Sequence, residues 1–487
     1  MPRHLISDAH EWINEIPAVP RTALSEILST AKTTEANYVQ AIFLDISGAF
    51  DNAWWPMIML KAKRGGCPPN IYRMLADYFS RRRVGMFVGG RVQWKVSTMG
   101  CPQGSVLGPT LWNVLLDDLF RLPLPWGVKI VAYADDVTVL IEAATRRKIE
   151  SAAADSISLF EDWAQRNRLS FAPAKSQTVT LRGRLQRAPV IKLGGASIRA
   201  VRSAVVLGVT IDSSLSFAEH ARSIGERAAN CFGKMSRVST SSWGIRYPAL
   251  RVLYYGTYVA SVTYAAACWA ERATLCVVRT SLVRSQRPAL ILLTKAYRSN
   301  SAAALAVLAG VLPADLEVIR AARVDEARRT VVKAELSRRK REIGLAIVAE
   351  WQARWTDETK GGELRRFFPD VAGRLRATWV APDYETSQIL TGHGCFNKRL
   401  HDMCLVESGG CLCGLAEEDL HHVLWECALY EDLRCALLDG IVREEEGPVY
   451  YQDLVASAVN FGKLREFAHH WHKRRNSSDR DRGPVGV

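Results

Sequence analysis

Tyr133-Ala134-Asp135-Asp136 joins two segments whose composition belongs inside a protein. Val128-Lys129-Ile130-Val131-Ala132 precedes it and Val137-Thr138-Val139-Leu140-Ile141 follows. Both runs are β-branched, nearly all apolar and of strand length, so they predict a buried β-hairpin with two adjacent carboxylates at its tip. Carboxylates held between buried strands destabilise a fold unless something cationic neutralises them. Mg²⁺, which prefers carboxylate oxygens together with substrate phosphates, is the natural candidate.

A second acidic stretch lies upstream. Tyr38-Val39-Gln40-Ala41-Ile42-Phe43-Leu44 reads as another buried strand and runs into Asp45-Ile46-Ser47-Gly48-Ala49-Phe50-Asp51. A lone Asp-Asp pair is more often a polar turn at a strand end. Two acidic stretches, each closing a strand, point instead to a polymerase-type metal site. Carboxylates from separate strands can hold two ions that activate an attacking hydroxyl and stabilise the leaving oxygen in phosphoryl transfer. Between them, Gly100 to Ser105 forms a glycine-flanked loop before a helix expected from about Pro109. Its glycines let the backbone approach a nucleotide closely, and Gln103 can reach a base-pair or sugar edge.

These stretches resemble the core motifs of reverse transcriptases, in the right order. Asp45 to Phe50, Gly100-Cys101-Pro102-Gln103-Gly104-Ser105-Val106-Leu107-Gly108-Pro109 and Tyr133-Ala134-Asp135-Asp136 match the variants of non-LTR (LINE-like) retrotransposons, particularly the insect lineages that insert into ribosomal DNA. Phe171 to Ser176 resembles the next polymerase motif, and Val206-Leu207-Gly208-Val209 the turn of the primer grip. Ser285 to Leu290 and Ala309 to Pro313 resemble the segment that follows the polymerase in these elements. The resemblance covers roughly residues 20 to 440.

It implies that Asp45, Asp135 and Asp136 hold two Mg²⁺ ions, with the Ile46 carbonyl as a further ligand. A primer 3′-hydroxyl would attack the α-phosphate of a deoxynucleotide. Phe50 would exclude a ribose 2′-hydroxyl, although by spacing alone it is a core phenylalanine at a strand-to-helix junction. Gln103, Gly104 and Tyr133 would line the nucleotide site. Lys175 would supply a cation where pyrophosphate charge develops, against the plainer reading of a solvated lysine. Leu207-Gly208 would position the primer backbone, or simply close an ordinary hairpin.

Charge agrees with a nucleic-acid partner. The 487-residue chain is 48% hydrophobic, enough for two to four globular domains, and carries a formal net charge of +14. Such an excess favours a polyanion, either nucleic acid or an anionic membrane surface. It concentrates at Arg81-Arg82-Arg83, Arg338 to Arg341 and His472-Lys473-Arg474-Arg475. No apolar leader follows Met1, and eleven unevenly spaced cysteines argue for a reducing, intracellular compartment. The resemblance implies a nuclear one, with a cytoplasmic ribonucleoprotein phase. Val252 to Ala270 is uncharged, but its four tyrosines and polar residues fit a buried core helix better than a membrane span.

The expected class is α+β: a right-hand polymerase palm of antiparallel sheet and packed helices, a helical thumb and a small C-terminal Cys/His segment. Residues 1–215 would be the palm with partial fingers and 216–345 the thumb and connection. Residues 346–390 would bridge domains, 391–440 hold the Cys/His segment, and 441–487 form a basic tail disordered from about Asn476. Thr145 to Asn167 carries a helical stripe at Ile149, Ala153, Ile157, Phe160 and Ala164, and Asp325 to Arg341 reads as one charged, solvated or RNA-facing helix.

In the Cys/His segment, Cys411, Cys413, His422 and Cys427 can close a tetrahedral zinc shell, with buried free thiols as the alternative. His421 competes with His422, and Cys395, Cys404 and Cys435 are nearby spares. The resemblance favours zinc, in a knuckle that grips RNA or target DNA. Full-length relatives begin with an endonuclease and longer fingers, so an amino-terminally truncated reading frame is expected. The leading function is an RNA-directed DNA polymerase acting on an RNA template, a DNA primer and deoxynucleotide triphosphates. A catalytically inactive remnant that only binds nucleic acid competes with it. An intron maturase or telomerase is a weaker third reading.

Overall fold

In the computed structural model, residues 20–102, 104–240, 244–443 and 446–480 are described. Between Glu219 and His220 the chain divides into two compact units.

The first unit is built on a five-stranded sheet. Its strands are β1 (Tyr38–Asp45), β4 (Val128–Tyr133), β5 (Asp136–Ala143), β6 (Gln177–Arg182) and the short β9 (Arg199–Ala200), in the order β4-β5-β1-β6-β9. All neighbours are antiparallel except β6 and β9. Ile42, Leu44, Val137, Val139 and Ile141 project to one face, the period-2 consequence of their spacing. There they meet Trp112 of the helix Leu107–Leu116 and Phe160 and Trp163 of the helix Arg146–Asn167. The expected stripe of the latter helix is buried at all five positions. Thr145 caps it, accepting a hydrogen bond from the Lys148 N–H. Helix Pro20–Thr33 packs on β4 and β6 and buries Leu24, Ile27 and Leu28. Buried Gln40 donates to Thr178 Oγ1 and accepts from Thr180 Oγ1 at 2.7 Å, so its amide is satisfied and the β1–β6 register is pinned.

Three hairpins accompany the sheet. One of them, β2 (Arg83–Val88) with β3 (Arg91–Val96), is not among the elements expected from the sequence. Its turn is Gly89-Gly90, both at positive φ as a two-residue turn requires, and its apolar residues are exposed. β7 (Lys192–Leu193) pairs with β8 (Ala196–Ser197), and β10 (Ser203–Val206) with β11 (Val209–Asp212).

The second unit is helical and differs from expectation in four places. Val252 to Ala270 is not one helix: a π-helical turn, Tyr254–Val259, and a break at Thr263–Ala265 divide it, while Tyr254, Tyr258 and Val262 are buried as core. Among the described residues no single helix is long and apolar enough to cross a membrane. Asp325 to Arg341 is likewise split, because the helix Ala314–Thr330 ends at Val331 and Leu336–Asp357 begins afresh. Residues 346–390 are packed helices, burying Leu364, Phe367, Val371, Ile389 and Leu390, and do not form a bridge. Finally, the supposed tail contains the helix Ala458–Arg480, which buries Phe461, Leu464, Ala468 and Trp471. Residues 481–487 lie outside the described residues.

Arginine replaces backbone partners in this unit. Buried Arg374 donates to the carbonyls of Leu308 (2.7 Å), Ala377 (3.1 Å) and Val380 (3.1 Å). Gln286 does similar work, donating to Leu312 O at 2.7 Å and accepting from Ala314 N at 3.0 Å.

Phe160 is fully buried under the sheet. Phe160→Ala is expected to lower stability by about 3–5 kcal/mol, read as an earlier urea midpoint by tryptophan fluorescence.

Candidate functional site

The register of β1 and β5 sets Asp45 directly opposite Asp136. Tyr133, the last residue of β4, pairs with Asp136 from the other side, and Ala134-Asp135 make the hairpin turn between them. Ala134 sits at φ 53°, a strained conformation for an alanine. Its carbonyl is held by Trp112 Nε1 at 2.8 Å. Three carboxylates are thereby gathered at one end of adjacent strands.

The electrostatics reflect this. Partial burial of the Asp136 carboxyl, followed by the charges of Asp135 and Asp45, pushes its pKa above the ordinary carboxylate value. Asp136 keeps an exposed surface as a residue, so solvent screens part of that repulsion. Asp45 Oδ2 is shielded from solvent yet has no hydrogen-bond partner among the described residues. A cationic neighbour, Lys175 Nζ, stands 3.7 Å away, beyond hydrogen-bond reach. An orphaned carboxylate oxygen beside two further carboxylates fits a hard divalent cation.

The surrounding loops are tied to the same end of the sheet. Asp45 O accepts from Ala172 N at 2.8 Å, and Asp45 N donates to Ser176 Oγ at 3.2 Å. Those bonds hold the Phe171–Ser176 loop in place and so bring Lys175 to Asp45. Ile46 forms an isolated antiparallel bridge with Phe171. Phe50 is half-buried, its ring 5.2 Å from Trp112, and its carbonyl accepts from Cys101 N at 2.7 Å. Gly100 N donates to Ala53 O at 2.8 Å with φ 102°, and a Cβ there would lie 3.1 Å from Asp51 O. Gly100 and Cys101 are thus held against the turn that follows Asp45, and Gly104 sits at φ 80° facing open space. Gln103 lies outside the described residues. The following helix begins at Leu107, two residues before the expected start. Leu207 and Gly208, both at positive φ, are the two-residue turn of the separate β10–β11 hairpin.

Two residues of this centre escaped sequence reasoning. Trp112 fixes both the hairpin tip and Phe50, and Ser176 fixes Asp45. Trp112 looks like one more apolar residue in Leu107–Leu116; its indole N–H is the only sign of a polar duty.

The second constellation assembles as spacing suggested. Ligand atoms of Cys411, Cys413, His422 and Cys427 all lie within 4.8 Å of one another. Cys411 Sγ is 3.6 Å from Cys427 Sγ, and Cys413 Sγ is 3.2 Å from His422 Nε2. A tetrahedral ion with Zn–S bonds of about 2.3 Å sets its sulfurs about 3.8 Å apart, so this donor set fits zinc. His422–Glu426 is a π-helical turn. On an α-helix, at about 100° per residue, positions five apart diverge by about 140°, whereas the wider turn returns His422 and Cys427 to one side. Glu426 Oε2 stands 3.4 Å from His422 Nδ1, where it can orient the ring. His421 turns away and bonds Tyr451 Oη at 2.8 Å. Burial pushes the Cys411 thiol up to about 12. Burial opposes ionisation of Cys413 too, but hydrogen bonds from Leu415 N–H and from His422 outweigh it and bring that thiol down to about 7.

The supposed basic tail braces this cluster. Arg475, on the helix Ala458–Arg480, reaches both oxygens of buried Glu418 at 3.1 Å and Asn397 Oδ1 at 2.6 Å. Arg474 pairs with both oxygens of Asp432. Half of that basic run is therefore engaged inside the molecule.

Residues 5–211 match the family described as reverse transcriptase (RNA-dependent DNA polymerase). The chain is 32% identical, over 434 residues, to the putative 115 kDa protein in the type-1 retrotransposable element R1DM of Drosophila melanogaster, covering 86% of this chain and 42% of that protein. It is 32% identical to the retrovirus-related Pol polyprotein from the type-1 retrotransposable element R1 2 of Nasonia vitripennis, covering 78% of this chain and 97% of that protein. The RNA-directed DNA polymerase from mobile element jockey of Drosophila melanogaster is 32% identical over 41% of this chain and 22% of that protein. The chain spans less than half the length of the Drosophila R1 relative.

Ionising Asp136 costs folding stability, because its carboxyl titrates higher in the fold than in the unfolded chain. The penalty is absent below the ordinary carboxyl value of about 3.9, grows as pH rises through it, and is complete above the folded value. Asp136→Asn is expected to melt at a higher temperature than wild type near pH 7 without divalent ions, and at the same temperature near pH 3.

Proposed function

Because the chain belongs to the Pol proteins of R1-type non-LTR retrotransposable elements, we propose that it is an RNA-directed DNA polymerase extending a DNA primer on an RNA template. The observation that carries this reading is the register that gathers Asp45, Asp135 and Asp136 around an unpartnered carboxylate oxygen.

Asp45, Asp135 and Asp136, with the Ile46 carbonyl, would hold Mg²⁺. Bound there, Mg²⁺ would supply the positive charge that activates the primer hydroxyl and offsets charge on departing pyrophosphate. Lys175, already drawn to Asp45, would add a cation on the pyrophosphate side and can donate a proton to it. Phe50 presents a ring that Trp112 keeps from swinging away, so a ribose 2′-hydroxyl would meet a fixed wall. Tyr133, the last residue of β4, would line the nucleotide site together with Gln103 and Gly104, by resemblance. Leu207-Gly208 would guide the primer backbone, by resemblance alone.

Primer extension on poly(rA)/oligo(dT) with Mg²⁺ tests the reading. Asp135→Asn is expected to lower incorporation more than about a hundredfold, since no other group present replaces that carboxylate. Wild-type incorporation no higher than the variant's would sink the polymerase reading and leave a nucleic-acid binder.

Cys411, Cys413, His422 and Cys427 would hold one structural Zn²⁺, steadying a knuckle that grips nucleic acid. Metal analysis of purified protein should find about one Zn²⁺ per chain, absent from Cys413→Ser. Metal-free wild type would remove zinc from the picture.

A further inference from the structure

The second unit contains a cavity of about 970 Å³, near the upper end of the roughly 300–1,000 Å³ typical of ligand sites. Buried Trp351 and Trp355 contribute to its lining. One wall is the start of the helix Ala302–Ala309, capped by Ser301, whose side chain accepts from Ala304 N. The Ala304 N–H is taken by Ser301, while Ala302 and Ala303 carry only methyl groups that leave their own amides unscreened by a long side chain.

Cations dominate the remainder. Arg279, Arg284 and Arg287 line it from the helix Cys276–Thr294, Arg287 lying between the other two around the helix axis, and Lys360 and Arg399 complete the ring. Among the described residues none of these five forms a salt bridge, while Arg354 is already matched by Asp315 at 2.5 Å and Glu350 at 2.7 Å. Glu358 is the remaining acid in the lining. Arg287 donates to the carbonyls of Arg298 and Asn300, which shapes the loop carrying Ser299 and Ser301 to the rim. Arg399 Nε is shut off from solvent without a hydrogen-bond partner among the described residues.

Five unmatched cations around one cavity repel one another, a cost relieved only when an anion enters. Guanidinium forks suit phosphate oxygens better than they suit a diffuse charge. Arg279 and Arg287 are eight residues apart on one helix, about 12 Å at 1.5 Å per residue, which is more than one phosphate occupies. We propose that this cavity is a second nucleic-acid site, in which Arg279, Arg284, Arg287, Lys360 and Arg399 hold successive phosphates of a single-stranded RNA. The site is independent of the carboxylate centre and stands whether or not that centre polymerises.

Fluorescence anisotropy of a labelled single-stranded RNA, titrated with the full chain without Mg²⁺ or nucleotides, tests it. Arg279→Glu/Arg284→Glu is expected to weaken binding at least tenfold. It should also flatten the plot of log affinity against log salt by about 0.7 for each phosphate the variant no longer neutralises. Both arginines are exposed, so Tm should hold, and Lys360→Glu gives a second, loop-borne readout of the same kind. Arg284→Lys should retain most of the affinity. Lys148→Glu, the same two-unit charge change as Lys360→Glu but on the exposed side of the helix Arg146–Asn167, should shift it less than twofold. Unchanged affinity and slope in the double and Lys360 variants would overturn the proposal. So would an equal weakening in Lys148→Glu, or inorganic triphosphate binding that the double variant abolishes while RNA binding survives. Asp135→Asn separates the two functions, since it should end primer extension and leave this binding intact.

Discussion

Asp45 and Asp136 oppose each other across β1 and β5, with Asp135 beside them, and the like charges push against the pairing that holds them. What resists is the packing of Ile42, Leu44, Val139 and Ile141 against Trp112, Phe160 and Trp163. A slip of one residue would turn each of these side chains to the other face, so the hydrophobic pattern itself dictates that the acids meet. Everything near the centre then follows from two anchors on it. Ala172 and Ser176 bind the Asp45 backbone and deliver Lys175, while Trp112 binds the hairpin tip and backs Phe50. The acidic centre is an imposed arrangement, and its unrelieved repulsion leaves it receptive to a cation.

How much of this is visible in the sequence depends on whether the signal is local. The sheet strands and the helix Arg146–Asn167 declare themselves through periodicity, and the acids sit at strand ends where period-2 reasoning locates them. The Cys/His set is also visible by spacing, but the choice between His421 and His422 needs the π-helical turn, which adds a residue per turn and leaves no mark in composition. The hairpin β2–β3 escapes notice because its apolar residues are exposed on both strands, although Gly89-Gly90 is an available turn signal. The helix Ala458–Arg480 reads as tail because histidine, lysine and arginine dominate it. Yet Phe461, Leu464, Ala468 and Trp471 lie three and four apart, the spacing of a buried stripe.

Net charge needs similar care. An excess of +14 suggests a broad phosphate-seeking surface, yet several arginines serve internally. Arg374 closes three backbone carbonyls, Arg354 neutralises the fully buried Asp315, and Arg475 grips Glu418. The guanidinium suits such posts because its five donors can satisfy several acceptors at fixed angles. Arg279, Arg284, Arg287, Lys360 and Arg399 instead gather around the cavity beside the helix Ala302–Ala309, so position tells more than the total.

Glu418 lies between Cys413 and His422 in sequence, and its guanidinium partner comes 57 residues later. The loop that carries the cysteines is therefore tied down by a residue made well after it. Until synthesis passes Arg475, a buried carboxylate in the middle of the cluster has no counter-charge. A protein cut short upstream of that residue would keep all four Cys and His ligands yet leave Glu418, in the loop between them, without its guanidinium partner.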